Sequence, residues 1–447
     1  MPFILPDPQG HARDLAANWL KLGIFALLAA GIFSLLLVMS RTPAVQEVIP
    51  WLDFFHTALV VHVVLSVLVW FLAFAGVLWT ANSAIASPWW DKTILAVTAL
   101  GAGLIVVSPF TGDGHPLLNN YVPILQQPVF LWGLGLFGAG FVGLIIRTLM
   151  VAGWETPPQA GIYFSVVSAA VAVLALLMTG VNLPDQYSGE AFYELLFWGA
   201  GHTLQFTHTF LLMVAWLWLA QATGLTISIA PRLAKGLLAL MVLPVLLVPV
   251  IYLQYEVASA EHRAAFTALM KYGGLTSLPL GVVVVWAVAR GSRVAIAALR
   301  PLRNALYASI ALFAAGGVIG FLIHGVNVVI PAHYHGSIVG VTLAFMGLTY
   351  YLLPRLGFQS ATSKWAVWQP YIYGGGQLMH ILGLAWSGGY GVQRKTAGAA
   401  QGLENLPQIL GMGMMGLGGL IAIIGGGIFV VVVLRAMLAK PYNQPAT

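Results

Sequence analysis

The sequence predicts an all-α integral membrane protein, a bundle of about twelve transmembrane helices of the kind that satisfies its own backbone in lipid. Composition, the spacing of apolar runs and the placement of basic residues each predict it. The chain is 60% hydrophobic and 7% charged, with a mean hydropathy of +0.90, whereas a soluble domain carries about 25% charged residues. Over 447 residues, so few charges cannot cover a surface facing water.

Apolar runs of spanning length fall at 19–38, 51–80, 93–110, 128–150, 161–183, 190–221, 232–254, 262–289, 303–330, 333–354, 367–392 and 405–436. Their connections are short, and no linker, low-complexity tract or internal repeat interrupts them, so residues 1–447 are expected to form a single membrane domain. The opening stretch MPFILPDPQGHARDLAANW is polar and proline-bearing, unlike a cleavable signal peptide. With the N-terminus inside, 14 of the 19 Lys and Arg residues fall on the inner side. Arg41, Arg263, Arg394 and Lys395 lie outside, and Lys271 lies within the eighth run. That bias orients the protein with both termini inside.

The net charge of +6 is dispersed singly through loops, which argues against a nucleic-acid partner. There is no cysteine, which excludes disulfides, thiolate metal sites, iron–sulfur clusters and covalently attached c-type haem. The 11 histidines are therefore the good nitrogen ligands available. Ionisable groups inside spans are costly and mark function. His56 and His62 sit on the second run, His202 and His208 on the sixth, and His380 on the eleventh. His324 ends the ninth run, and His333 and His335 open the tenth. Residues i and i+2 of a helix are about 200° apart, so His333 and His335 can each serve a planar cofactor on opposite flanks. Runs two, six and ten all descend from the outer side, which places His62, His202, His333 and His335 at a common outer depth. Asp185, Glu190, Glu194, Glu256 and Glu261 also gather near the outer side, and no Asp or Glu is expected in the inner half of any span.

The segments AHYHGSIVGVTLAFMGLTYYLLPRLG, FFHTALVVHVVLSVLVW and GLAWSGGYGVQRKT together resemble subunit I of the haem–copper oxidase superfamily, particularly its B-type oxidases, over nearly the whole chain. The resemblance implies two haems, b-type in this reading. His333 would hold the high-spin haem, and His335 with His62 the low-spin haem, His56 being the other choice. Arg394 and Lys395 would meet the propionates, with a lysine replacing one of the family's two arginines.

The metal side departs from the pattern. His202 matches the sixth-helix histidine, but Phe206 stands where the family has a tyrosine joined to it. The adjacent histidine pair of helix seven is absent; Gln254, Tyr255 and Glu256 fall near its place, with His262 as a possible stand-in. A centre drawn from His202, with Gln205 and Gln254, Tyr255 or Glu256, would favour non-haem iron over copper, or bind metal poorly. Missing tyrosine and altered ligands are features of the superfamily's nitric oxide reductases. The expected activity is therefore reduction of nitric oxide to nitrous oxide, with Tyr255, Glu256, Gln205 and Glu194 as the catalytic and proton-carrying candidates. The alternatives are a dioxygen-reducing oxidase, a haem-bearing electron carrier without the metal, and a twelve-helix secondary transporter. Expected partners are an electron-donating subunit (a cytochrome c or a copper-containing subunit II), membrane lipid and a small gas, in a bacterial inner membrane.

Overall fold

Among the described residues, twelve long helices, labelled here in chain order, follow the apolar runs: α1 (Gly10–Met39), α2 (Phe55–Ala81), α3 (Pro88–Val107), α4 (Pro128–Val151), α5 (Pro157–Asn182) and α6 (Gly189–Ala222). Then come α7 (Pro231–Gln254), α8 (Ala260–Arg290), α9 (Arg300–Phe321), α10 (Val329–Leu352), α11 (Lys364–Gly389) and α12 (Leu406–Leu438). The computed structural model describes residues 1–39, 54–83, 87–291, 296–394 and 403–439; Arg41, Arg293, Lys395 and Lys440 lie outside them. Among the described residues, 11 helices are long and apolar enough to cross a membrane, so the chain is a multi-pass membrane protein. The exception is α11, 26 residues long, whose Gln369, Gln377, His380 and glycines dilute its apolar run.

Local chemistry fixes the helix ends. Proline opens α3, α4, α5 and α7, where a missing N–H costs nothing. At α12, Asn405 and Gln408 cap each other: the Gln408 N–H donates to Asn405 Oδ1 at 3.0 Å, and the Asn405 N–H to Gln408 Oε1 at 3.3 Å. Pro244 and Pro249 remove donors inside α7, which breaks into Pro231–Leu240, Leu243–Leu246 and Val248–Gln254. A π-helical stretch, Val64–Val69, interrupts α2 just after His62. The connection from α3 to α4 carries a small antiparallel hairpin, β1 (His115–Leu117) with β2 (Ile124–Gln126), in register His115 to Gln126.

The expectation of one domain meets a finer division into two compact units. The first holds residues 1–217 and 228–284, the second 218–227 and 285–447. In the first, α1 packs on α2 and α3 on α4, with α5 against α7. One end of this unit holds a buried ion pair. Arg147 on α4 bonds Asp91 on α3 and donates to Ser83 Oγ at 2.6 Å, while His11 Nε2 lies 2.9 Å from the same carboxylate. Pro88 starts α3 five residues earlier than the apolar run 93–110, so Asp91 falls within the helix at 1% exposure, with Arg147 to neutralise it.

In the second unit, α9 packs on α10 and α11 on α12. Small residues let backbones touch there, the usual way helices associate in lipid. A Cβ on Gly376 would stand 2.5 Å from the Ala422 nitrogen and 2.8 Å from the Gly418 oxygen, whereas one on Gly375 would meet nothing within 4 Å. Gly376→Ala should therefore destabilise the protein by about 1–3 kcal/mol through overpacking, and Gly375→Ala should be neutral. Thermal unfolding of the two variants in detergent checks the contrast.

Candidate functional site

Within the first unit, His62 on α2 is half-buried, and its Nδ1 lies 2.8 Å from the Ala30 carbonyl oxygen of α1. A carbonyl only accepts, so Nδ1 carries the proton and Nε2 is the nitrogen left to bind a ligand. His208 on α6 meets the Phe71 ring edge to face at 4.8 Å, and its buried Nδ1 has no hydrogen-bond partner.

His202, also on α6, is 4% exposed and donates from Nδ1 to the Trp198 carbonyl at 2.7 Å. Its ring packs with those of Trp198, at 4.7 Å, and Tyr121, at 4.8 Å, which are themselves 6.0 Å apart. Tyr121 comes from the turn between β1 and β2 and was not singled out by the sequence. It is the one non-glycine of positive φ, at 65°, among the described residues. Two features hold it there. Glu194 accepts from the Asn120 backbone N–H at 2.6 Å and from its side-chain amide. Gly201 leaves bare backbone under the Tyr121 ring, where a Cβ would overlap it. The Tyr121 hydroxyl is hydrogen-bonded with Gln205; burial, reinforced by the Glu194 carboxylate, holds it above the usual phenol range, with the Gln205 bond opposing.

The structure does not bring the helix-seven candidates into this cluster. Gln254 ends α7, and Gln254, Tyr255 and Glu256 are all exposed. The inward tyrosine is Tyr252, one turn earlier, with its hydroxyl 2.7 Å from Thr179 Oγ1 and 2.9 Å from the Ala175 oxygen. His262 is 1% exposed and edge-on to Tyr252 and Phe266, and neither of its ring nitrogens has a hydrogen-bond partner.

Within the second unit, the two histidines of α10 do face different neighbours, as their spacing predicts. His333 donates from Nδ1 to the Gly316 carbonyl of α9 at 2.7 Å, and its ring lies over Gly320. His335 donates from Nδ1 to the Pro331 carbonyl of its own helix at 2.8 Å, and its ring is 5.0 Å from that of His380 on α11. His380 in turn donates to the Met415 carbonyl of α12 at 2.9 Å. The charge of Arg394 reaches Tyr334, between the two α10 histidines.

Imidazoles inside membrane helices, each held by a carbonyl through one nitrogen, are the ligand chemistry of a membrane haem protein. A family model described as cytochrome c and quinol oxidase polypeptide I matches residues 14–428. The chain belongs to that family. It is 30% identical over 498 aligned residues to an uncharacterized protein of Rickettsia prowazekii (strain Madrid E), covering 96% of this chain and 97% of that one. It is 28% identical over 372 residues to an uncharacterized protein of Aquifex aeolicus (strain VF5), covering 79% and 88%. The cryo-EM structure of a haem–copper terminal oxidase dimer shares the fold, with a TM-score of 0.71 at 16% identity over 98% of this chain and 86% of that one. The family implies a haem-dependent oxidoreductase with a metal centre, and it removes the transporter reading.

The residues present fit haem: His62, His333 and His335 each have the carbonyl-anchored Nδ1 that an axial ligand uses. They do not fit a second metal, because among the described residues no three His, Asp or Glu side chains gather.

The two acids proposed to carry protons are differently placed: Glu194 clamps the Tyr121 turn, and Glu256 is exposed. Glu194→Gln puts an amide N–H₂ against one of its two donors and should cost about 1–3 kcal/mol. Glu256→Gln should leave the melting temperature unchanged.

Proposed function

We propose that the chain is the catalytic subunit of a respiratory complex of a bacterial inner membrane that reduces nitric oxide to nitrous oxide. His62 and His335 would hold a low-spin haem, and His333 a high-spin haem at which the gas binds. Both would be b-type, as the family resemblance suggests, and neither c-type, since the chain has no cysteine. The haems supply the electrons, passed in from a partner subunit bearing cytochrome c or copper.

The observation that carries the substrate is Phe206. It follows His202 by one helical turn and is buried against Val248 and Phe266, so it supplies neither a proton nor an electron. Dioxygen cleavage takes four electrons promptly, more than two haem irons hold between them. Two molecules of nitric oxide take up two electrons and two protons, giving one nitrous oxide and one water, which two irons can furnish. Arg394, half-buried near Tyr334, supports a role at a haem propionate, where charge-assisted bonds are strong. Lys395 belongs to the same proposal. A second reading, reduction of dioxygen, is favoured by the phenol of Tyr121 against His202.

Purified with its electron donor, the protein should form nitrous oxide from nitric oxide and consume dioxygen at least about tenfold more slowly. Rapid, cyanide-sensitive dioxygen uptake without nitrous oxide would select the second reading. His62→Ala should abolish the bis-histidine spectrum, leave a five-coordinate haem and lower turnover at least about 100-fold; a normal low-spin spectrum would move the ligand to His56. Gly320→Ala would set a Cβ 2.6 Å from His333 Nδ1, while Gly317→Ala would meet nothing within 4 Å. The first should lower high-spin haem occupancy and the second should not, as haem-to-protein ratios will report.

A further inference from the structure

The position that the family resemblance assigns to a second metal is built for something else. We infer that His202 binds no metal in this chain, and that the Tyr121 ring, seated on the bare backbone of Gly201, is its partner instead. This goes beyond the proposed activity and stands whichever gas is the substrate.

The oxygen and amide groups near His202 are already engaged. Its Nδ1 is held by the Trp198 carbonyl, which leaves Nε2, and the Trp198 and Tyr121 rings, 6.0 Å from each other, pack against it at 4.7 and 4.8 Å. Gln205, the side chain one turn on, is hydrogen-bonded with Tyr121. Glu194 is committed to Asn120, and the Tyr252 hydroxyl to Thr179 and Ala175. His262, whose ring nitrogens have no hydrogen-bond partner, adds at most one imidazole to that of His202. Two imidazoles fall short of the three protein ligands that even an open catalytic metal site uses.

The Tyr121 arrangement is also not incidental. A tyrosine in the left-handed region is sterically costly and persists only where its surroundings enforce it. The enforcement is visible: Glu194 fixes the preceding residue with two hydrogen bonds, and Gly201 is the residue type that leaves room for the ring.

The test is metal content and magnetism of the haem-loaded complex purified from membranes. Iron should equal haem, copper and zinc should stay below about 0.1 per chain, and the high-spin ferric signal in electron paramagnetic resonance should integrate to about one spin per chain. An additional metal near one per chain that is lost in His202→Ala, or a high-spin haem rendered silent by a neighbouring paramagnet, would overturn the inference. If His202→Ala fails to assemble, Tyr121→Leu replaces it. That variant should leave the metal-to-haem ratio unchanged and shift the spectrum of neither haem to a metal-coupled form. Loss of nitric oxide turnover with these ratios intact would count against the proposed activity and leave the inference standing.

Discussion

The hydrogen bond from an imidazole Nδ1 to a backbone carbonyl recurs at five intramembrane histidines, His62, His202, His333, His335 and His380. Carbonyls accept and cannot donate, so each bond fixes a tautomer and leaves Nε2 as the ligating atom. In lipid no water can do this work, and helix carbonyls are already committed to their own ladders. The solution is to share: His62 and His333 use carbonyls of neighbouring helices, whereas His202 and His335 use the carbonyl four residues back in their own. Such a bond orients a ring without adding a charge, which suits a ligand buried where charge is expensive.

Close helix contact is the condition for that sharing. Gly316 both supplies the acceptor for His333 and admits α10, since a Cβ there would stand 2.4 Å from the Ser337 nitrogen, and Gly320 leaves space for the imidazole itself. Packing and ligand orientation are therefore the same residues seen twice. A substitution chosen to separate them must alter the ring's cradle while leaving the neighbouring backbone contact alone.

Much of this was legible beforehand. Apolar run length is read directly by lipid, so eleven spans were plain, and the i, i+2 spacing of His333 and His335 foretold their different neighbours. Three things were not legible, each for a physical reason. Spacing back from α8 lands on exposed Gln254, Tyr255 and Glu256, at and just past the end of an α7 broken by Pro244 and Pro249, where Tyr252 is the residue turned inward. The start of α3 is set by Pro88 and an ion pair with Arg147, neither of which a hydropathy window weighs. Tyr121 sits in a short turn whose backbone is imposed by Glu194, 73 positions further on, and no local pattern announces it.

The Asp91–Arg147 pair has a bearing on how the chain is made. Either side chain alone would enter the bilayer at a cost of about 2.5–3.5 kcal/mol at mid-depth, less toward the edge. They sit at the first turn of α3 and the last turns of α4, the two ends that the hairpin between those helices brings back to the same side. Helices delivered singly by the insertion machinery would each carry an unanswered charge, while the two delivered together carry none. The pair therefore favours α3 and α4 leaving the translocon as one unit, with His11 and Ser83 closing around the carboxylate and guanidinium once α1 and α2 are beside them.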